Sequence, residues 1–171
     1  MNIRTRILIG TVAATCRIVG IALATPTVGL NFKNILASGA IDPDVFRFVR
    51  VPVPATATAS ENEWNAMLFT NGPANFIVQD VSYFPGGHTG WHSHPGILLS
   101  SVTEGSIEWY NSSCQKQVYN VGDSLTESGV HFVRNVGSVN ARFMVTYVIA
   151  KGQPLRIDQS APACAAALGL E

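Results

Sequence analysis

The chain has 171 residues, of which 47% are hydrophobic and 13% are charged. This length favours a single domain with a core of its own, and the hydrophobic content excludes a disordered chain. Eleven basic residues balance eleven acidic residues. No basic patch is present along the chain, so the composition argues against nucleic acid as a partner.

The N-terminal segment has the layout of a secretory signal peptide, which we predict over residues 1–24. Arg4 and Arg6 form a short positive region, and an apolar stretch follows over residues 7–24. Ala22-Leu23-Ala24 fits the small-x-small pattern of a signal-peptidase site. Cleavage there would leave eight basic and eleven acidic residues, a net charge of −3. We therefore expect a secreted or periplasmic protein.

One residue departs from this pattern. Arg17 interrupts the apolar stretch and would cost about 2.5–3.5 kcal/mol near mid-membrane, which counts against a retained spanning helix. The same arginine also weakens the signal-peptide interpretation. A retained membrane anchor, a buried strand and a lipid anchor on Cys16 stay open as alternatives. After cleavage we expect no stable membrane span.

The number of cysteines agrees with the prediction of an exported protein. Removal of the leader takes Cys16 with it and leaves Cys114 and Cys164. An even pair in an oxidising compartment indicates a disulfide. The alternative is a pair of unrelated free thiols.

The rest of the chain is predicted to be all-β. Residues 25–60 form an N-terminal arm with one strand over Val45–Val51, and residues 61–150 form a barrel. Residues 151–171 form a tail across the barrel, with one helical turn over Ala163–Leu168. The predicted barrel strands are Asn75–Phe84, Ile97–Thr103, Ser106–Tyr110, Gln117–Val121, His131–Val136 and Arg142–Ala150. Short strands separated by turn signals are typical of a sandwich or a barrel.

Three histidines form a candidate metal site. Residues two apart in a strand face the same side, so His92 and His94 point towards one position. His131 follows 37 residues after His94, at the start of another predicted strand. A third imidazole from a neighbouring strand would complete a ligand set that leaves positions open for water or substrate.

These residues also lie in two motifs that resemble those of the cupin superfamily. The first motif is matched by Gly86, by His92-Ser93-His94 after five intervening residues, and by Gly105 as its closing glycine. The second is matched by Gly122, His131 and Asn135. The resemblance covers about residues 66–150 and extends to small exported bacterial single-domain cupins.

The resemblance implies a double-stranded β-helix, or jelly-roll, barrel as a single domain. It also implies one divalent metal ion bound inside by His92, His94 and His131. A small-molecule ligand and a homodimer are further expectations that follow from the family. Imidazole ligands suit iron, manganese, nickel, copper and zinc, so the sequence does not select among these metals.

The chain departs from the first motif at its glutamate, which falls on Leu98. We therefore expect a site without a carboxylate, near +2 in charge, that attracts an anionic or chelating ligand. Glu127, in a shortened turn before His131, is a candidate for the mouth of the site, and His88 is another candidate ligand from a loop. Candidate residues of the cavity wall are Tyr83, Tyr147 and Met144. We expect Trp91 to be a packing residue and Glu104 to be a solvated turn residue.

The favoured function is a small-molecule metalloenzyme, with a dioxygenase ahead of an isomerase or a hydrolase. No catalytic residue beyond the metal ligands is assigned. The alternative is a non-catalytic cupin that binds a small ligand or the metal itself. A purely structural barrel with unused histidines is the third interpretation.

Overall fold

The computed structural model describes residues 24–41, 46–52 and 63–171. The predicted signal peptide, except for Ala24, lies outside the described residues. Within the described ranges, no helix has the length and apolar character needed to cross a bilayer.

Twelve β-strands account for most of the described residues. In chain order they are β1 (Val28–Ile41), β2 (Phe46–Pro52), β3 (Glu63–Phe69), β4 (Ala74–His88), β5 (His92–Ser93), β6 (Gly96–Glu104), β7 (Ser106–Asn111), β8 (Lys116–Asn120), β9 (Ser124–Thr126), β10 (His131–Arg134), β11 (Ala141–Ala150) and β12 (Ile157–Asp158). A single 3-10 turn, Ala166–Leu168, lies near the C-terminus.

Ten of these strands form one antiparallel sheet that curls into a nearly closed barrel. Strand β4 lies between β1 and β11, and β11 pairs in turn with β6, which pairs with β9. Strand β10 pairs with β5 and β7 and touches the end of β4. Strands β2 and β3 pair only with each other among the described strands. The predicted all-β cupin-type barrel is confirmed.

The barrel core follows from strict alternation along the strands. In β11 every second residue is buried, from Ala141 to Ile149, while Met144 lies on the opposite face. Leu98, Ser100 and Val102 of β6 face inward by the same rule. Because strand side chains alternate between the two faces, each strand supplies an apolar row to a shared interior. Met144, considered as a cavity residue, is therefore on the wrong side of its strand.

The predicted N-terminal arm contains a strand that the sequence pattern did not indicate. Strand β1 runs antiparallel to β4 along most of its length, from Val28↔His88 to Ile41↔Ala74. Most of its side chains are exposed, so its sequence lacks the apolar alternation that marks a half-buried strand. Backbone pairing with β4 defines it instead.

The C-terminal tail packs against the outside of the strands that carry the histidines. A second apolar cluster there contains Trp91, Phe132 and Leu170, each at most 1% exposed. The indole Nε1 of Trp91 donates to the carbonyl oxygen of Leu170 at 2.6 Å. The disulfide Cys114–Cys164 ties this tail to the loop between β7 and β8. Trp91 is thus a packing residue, and the predicted disulfide is present.

Candidate metal centre

The three histidines meet because two short strands and the tail pair with one another. His92 in β5 lies directly opposite His131 in β10 in the antiparallel register. Their ring centroids are 4.2 Å apart, and that of His94 lies 4.8 Å from His92 and 5.2 Å from His131. The histidines separated in sequence are therefore adjacent in the barrel.

Each imidazole is oriented by a backbone carbonyl. The Nδ1 atoms of His92, His94 and His131 lie 3.0, 2.6 and 3.0 Å from the carbonyl oxygens of Gly90, Leu155 and Gly129. A carbonyl oxygen only accepts hydrogen bonds, so Nδ1 carries the proton in each ring. Nε2 is then the nitrogen that each ring can offer to a metal ion, an arrangement typical of metal-binding histidines.

The fourth member of the cluster is Glu127, which follows β9. Its Oε2 atom lies 2.9 Å from Nε2 of His131 and 3.4 Å from Nε2 of His94. Its other oxygen, Oε1, accepts a hydrogen bond from the hydroxyl of Ser100 on the neighbouring strand β6. The carboxylate is 6% exposed, so it is fixed and shielded from water.

The electrostatics of this cluster call for a cation. Burial lowers the pKa of His92 to about 2, and the charges of nearby side chains add to this effect, so the ring is neutral. Burial opposes ionisation of Glu127, whereas hydrogen bonds donated by His131 and His94 favour its charged form and lower its pKa, so the carboxylate is charged when a proton or another cation lies between it and these rings. A carboxylate oxygen and an imidazole lone pair cannot both accept at 2.9 Å without a proton or a metal ion between them.

The residues present fit a divalent metal ion. The potential ligand atoms of His92, His94, Glu127 and His131 all lie within 4.8 Å of one another. The buried Nε2 of His94 has no hydrogen-bond partner within the described part of the chain. Three imidazoles and one carboxylate are the donor set of first-row transition metals. With three neutral rings and one carboxylate, a divalent ion would leave the centre near +1.

The carboxylate is where the structure differs from the expectation. Leu98, the position of the missing motif glutamate, points inward but belongs to the apolar core and is 1% exposed. Glu127, a sequence candidate for the mouth and for replacing the missing glutamate, lies inside the cluster with the histidines. Its signal in the sequence was its spacing of four residues before His131. The spacing alone does not place the Glu127 side chain, whereas the pairing of β9 with β6 does.

The other candidate site residues from the sequence lie outside the metal cluster. His88 lies outside the cluster, where its ring stacks on Phe132 at 4.9 Å. Tyr83 and Tyr147 line a cavity beside the cluster. Burial raises the pKa of Tyr83 to about 12 and also raises that of Tyr147, so both keep their protons at neutral pH. Glu104 is exposed, as expected.

The cavity opens next to the histidines and has a volume of about 40 Å³. Its lining includes His92, His94 and Glu127, and apolar walls of Val81, Val133, Phe143 and Val145. This volume has room for a few water molecules or a very small ligand. The cluster is therefore reachable by a small ligand, while His131 is fully buried beneath it.

The fold and this cluster define an antiparallel β-barrel with a candidate metal centre of three histidines and one glutamate. No family model and no curated protein matches the chain. Among solved structures, a cupin domain from Bordetella pertussis is 24% identical, with a TM-score of 0.39, and the match covers 44% of this chain and 82% of that one.

Two further solved structures resemble the chain. A Klebsiella pneumoniae protein with a double-stranded β-helix domain is 25% identical, with a TM-score of 0.43 over 50% of this chain and 75% of its own. A Thermotoga maritima protein described as a predicted oxalate decarboxylase is 17% identical, with a TM-score of 0.39 over 46% of this chain and 83% of its own.

Proposed function

We propose that the protein is a metal-dependent cupin that binds one divalent ion through His92, His94, His131 and Glu127 and acts on a small molecule in the adjoining cavity. The observation that carries this proposal is the shared orientation of the three imidazoles. Each is fixed through Nδ1 to a backbone carbonyl, and the Nε2 atoms of His131 and His94 lie 2.9 and 3.4 Å from Glu127 Oε2. Such fixed donors supply a preorganised site.

The chain's own residues have separable roles in this proposal. The carbonyl oxygens of Gly90, Leu155 and Gly129 hold the rings in one tautomer, and Ser100 holds Glu127. The apolar walls limit water around the ligand, which strengthens polar contacts inside the cavity. A bound ion would supply Lewis acidity or, if iron, dioxygen chemistry. A dioxygenase is therefore the first reaction class to test, ahead of an isomerase or a hydrolase.

Elemental analysis of purified, untagged protein tests the metal site. We expect about one divalent ion per chain in the wild type and less than a tenth of that in His92→Ala and His131→Ala. His88→Ala is the matched control, because this histidine lies outside the cluster, and it should keep its metal. A His92→Ala protein that folds and keeps full metal content would overturn the site.

Dioxygen uptake separates an enzyme from a binding module. The metal-loaded protein would be mixed with candidate phenols, diketones and thiols under air. Uptake that disappears in His131→Ala supports the dioxygenase. Stoichiometric metal and ligand binding without any turnover would favour the non-catalytic module.

We also propose export, with cleavage after Ala24. The disulfide between Cys114 and Cys164 supports it, because such bonds persist in oxidising compartments. N-terminal sequencing of protein from a secreting host should give Thr25 as the first residue. A mature chain that begins at Met1 would contradict export by this route.

A further inference from the structure

Two cationic side chains line the cavity, and both are far from the metal cluster in the sequence. Lys33 lies on β1 and Arg156 lies just before β12, and both contribute to the lining of the cavity. Neither belongs to residues 66–150, the segment that carries the cupin motifs. Lys33 is exposed, whereas the Arg156 side chain is only 19% exposed. The cavity therefore has a cationic part that the metal ligands do not explain.

The guanidinium of Arg156 has an unused donor. Its Nε donates to Oδ1 of Asp158 at 2.5 Å, which fixes the side chain. Its Nη2 is buried and has no hydrogen-bond partner among the residues that the structure describes. A buried donor without a partner is costly, and a charged one more so. An anionic group on a ligand would satisfy this atom.

Lys33 and Arg156 are electrostatically coupled. Partial burial lowers the pKa of Lys33, the charge of Arg156 lowers it further, and the charge of Asp158 opposes both effects. Two neighbouring cations repel each other unless an anion lies between them. Glu127 is the carboxylate of the metal cluster and also lines the cavity, but Ser100 and the histidines already engage its two oxygens. Asp158 also offsets the charge of this pair, but it meets Arg156 at Nε, so the buried Nη2 is the donor that an anionic group of a ligand would satisfy.

We propose that the cavity binds small carboxylic acids with a short apolar body, whose carboxylate is held by Arg156 and Lys33. This inference rests on the proposed function, since it names the ligand class of the same cavity. The apolar body would lie along Val81, Val133, Phe143 and Val145, and its far end would face the histidines. Two cationic donors match the two oxygens of a carboxylate, whereas a phosphate would leave further charged oxygens against apolar walls.

Calorimetry with matched acids and amides tests this inference. Butyrate, hexanoate and benzoate would each be compared with the corresponding amide, on metal-loaded protein and on protein treated with a chelator. We expect each acid to bind at least about tenfold more tightly than its amide, the loss expected when a charge-assisted hydrogen bond is removed. Inorganic phosphate would be titrated in the same way as a competing anion.

Variants assign the effect to the two cations. Arg156→Gln and Lys33→Gln should each reduce the preference for acid over amide by about tenfold. Metal content should be unchanged, because neither side chain is a ligand. Lys151→Gln is the control, since this lysine is exposed and lies outside the cavity lining.

The possible results distinguish a failure of this inference from a failure of the proposed metal site. Equal binding of acids and amides, or acid binding unchanged in both Arg156→Gln and Lys33→Gln, would overturn it. Phosphate that binds more tightly than any acid and loses its affinity in the same variants would overturn the assignment to carboxylic acids. A preference that persists without metal supports the cation pair even if the metal proposal fails.

Discussion

Glu127 lies beside Leu98, since its backbone N–H donates to the Leu98 carbonyl oxygen at 3.3 Å where β9 continues alongside β6. Leu98 is the position at which the first cupin motif carries its glutamate. The carboxylate of this chain thus comes from the neighbouring strand, at the same level of the barrel. The cluster gains a negative charge and an oxygen ligand without a glutamate in the motif.

The first prediction concerns the charge on Glu127. Glu127→Gln keeps the shape and the contact with Ser100 but removes the negative charge that faces the histidines. We expect metal affinity to fall by at least about tenfold, the lower end of the loss from even an outer partner of a metal ligand. Competition with a chelator measures the affinity. Glu104→Gln, at an exposed turn, is the matched control, and equal affinity in both variants would contradict the role of Glu127.

A transplanted carboxylate gives a second prediction. In Glu127→Gln, the additional change Leu98→Glu should restore part of the metal affinity, because position 98 points inward next to position 127. In the wild type, Leu98→Glu alone should instead lower thermal stability, because it buries a second carboxylate beside the first. Metal titration and thermal unfolding of the three variants measure both effects. Unchanged thermal stability in the single variant, or no recovery of metal affinity in the double variant, would contradict these expectations.

Gly90 is the subject of the third prediction. It has a φ of +69°, and a Cβ there would lie 2.7 Å from the carbonyl oxygen of Pro26. Its own carbonyl oxygen holds His92. A non-glycine residue in the left-handed region costs about 1–2 kcal/mol. We expect Gly90→Ala to lower the free energy of unfolding by more than this and to weaken metal binding.

Gly86→Ala provides the control for Gly90→Ala. Gly86 also has a positive φ, of +78°, but a Cβ there would meet no atom within 4 Å. It should therefore show the conformational cost alone, with metal affinity unchanged. Urea unfolding and chelator competition on both variants distinguish strain from collision. Equal effects of the two substitutions on stability and metal affinity would show that the approach of Pro26 is irrelevant.

The fourth prediction concerns the disulfide Cys114–Cys164, which spans 50 residues. Chain-entropy estimates assign about 4 kcal/mol to a loop of this length. The double variant with both cysteines changed to serine should lose stability of this order in urea unfolding. Metal affinity should fall too, because the tail supplies the carbonyl oxygen of Leu155 to His94 and pairs β12 with β5.

A reducing agent provides the control for the disulfide. It should lower the stability of the wild type and leave the double-serine variant unchanged. Stability that is the same in reduced and oxidised wild type would contradict the structural role of this bond. Unchanged metal affinity in a destabilised variant would separate the tail from the metal site.

The fifth prediction is a pH dependence that arises at Glu108, on the outside of the metal site. Burial opposes its ionisation, but hydrogen bonds from Lys116, Tyr110 and Arg134 outweigh burial and lower its pKa from 4.5 to about 2. A lowered pKa in the folded state stabilises the protein above pH 4.5, and this contribution disappears as the pH falls towards 2.

Glu108→Gln should therefore destabilise the protein by about 1–3 kcal/mol at pH 7, the cost of a lost charged partner. The difference from the wild type should shrink between pH 4.5 and pH 2. Urea unfolding across this pH range measures it. Lys116→Gln is a milder comparison, because the Lys116 side chain is 49% exposed. A difference that stays constant with pH would contradict the shifted pKa.

Local chemistry explains why much of this protein could be predicted from its sequence. Alternating apolar residues in 142–150 and 97–103 predicted strands close to β11 and β6. The two-residue spacing of His92 and His94 placed both imidazoles towards one point, and His131 at the start of β10 supplied the third. Cys114 and Cys164 were the two cysteines left after the leader, and they form the disulfide.

The remaining features of the fold and the site were decided by tertiary pairing. They depend on which strands become neighbours in the folded chain. Strand β1 has few buried side chains, so only its hydrogen bonding to β4 defines it. Glu127 became part of the cluster through the pairing of β9 with β6, and Arg156 reached the cavity through the tail that β5 and the disulfide hold. Periodicity reports which way a side chain faces within its own strand. The partner it meets depends on contacts between residues far apart in the chain, which a local pattern does not encode.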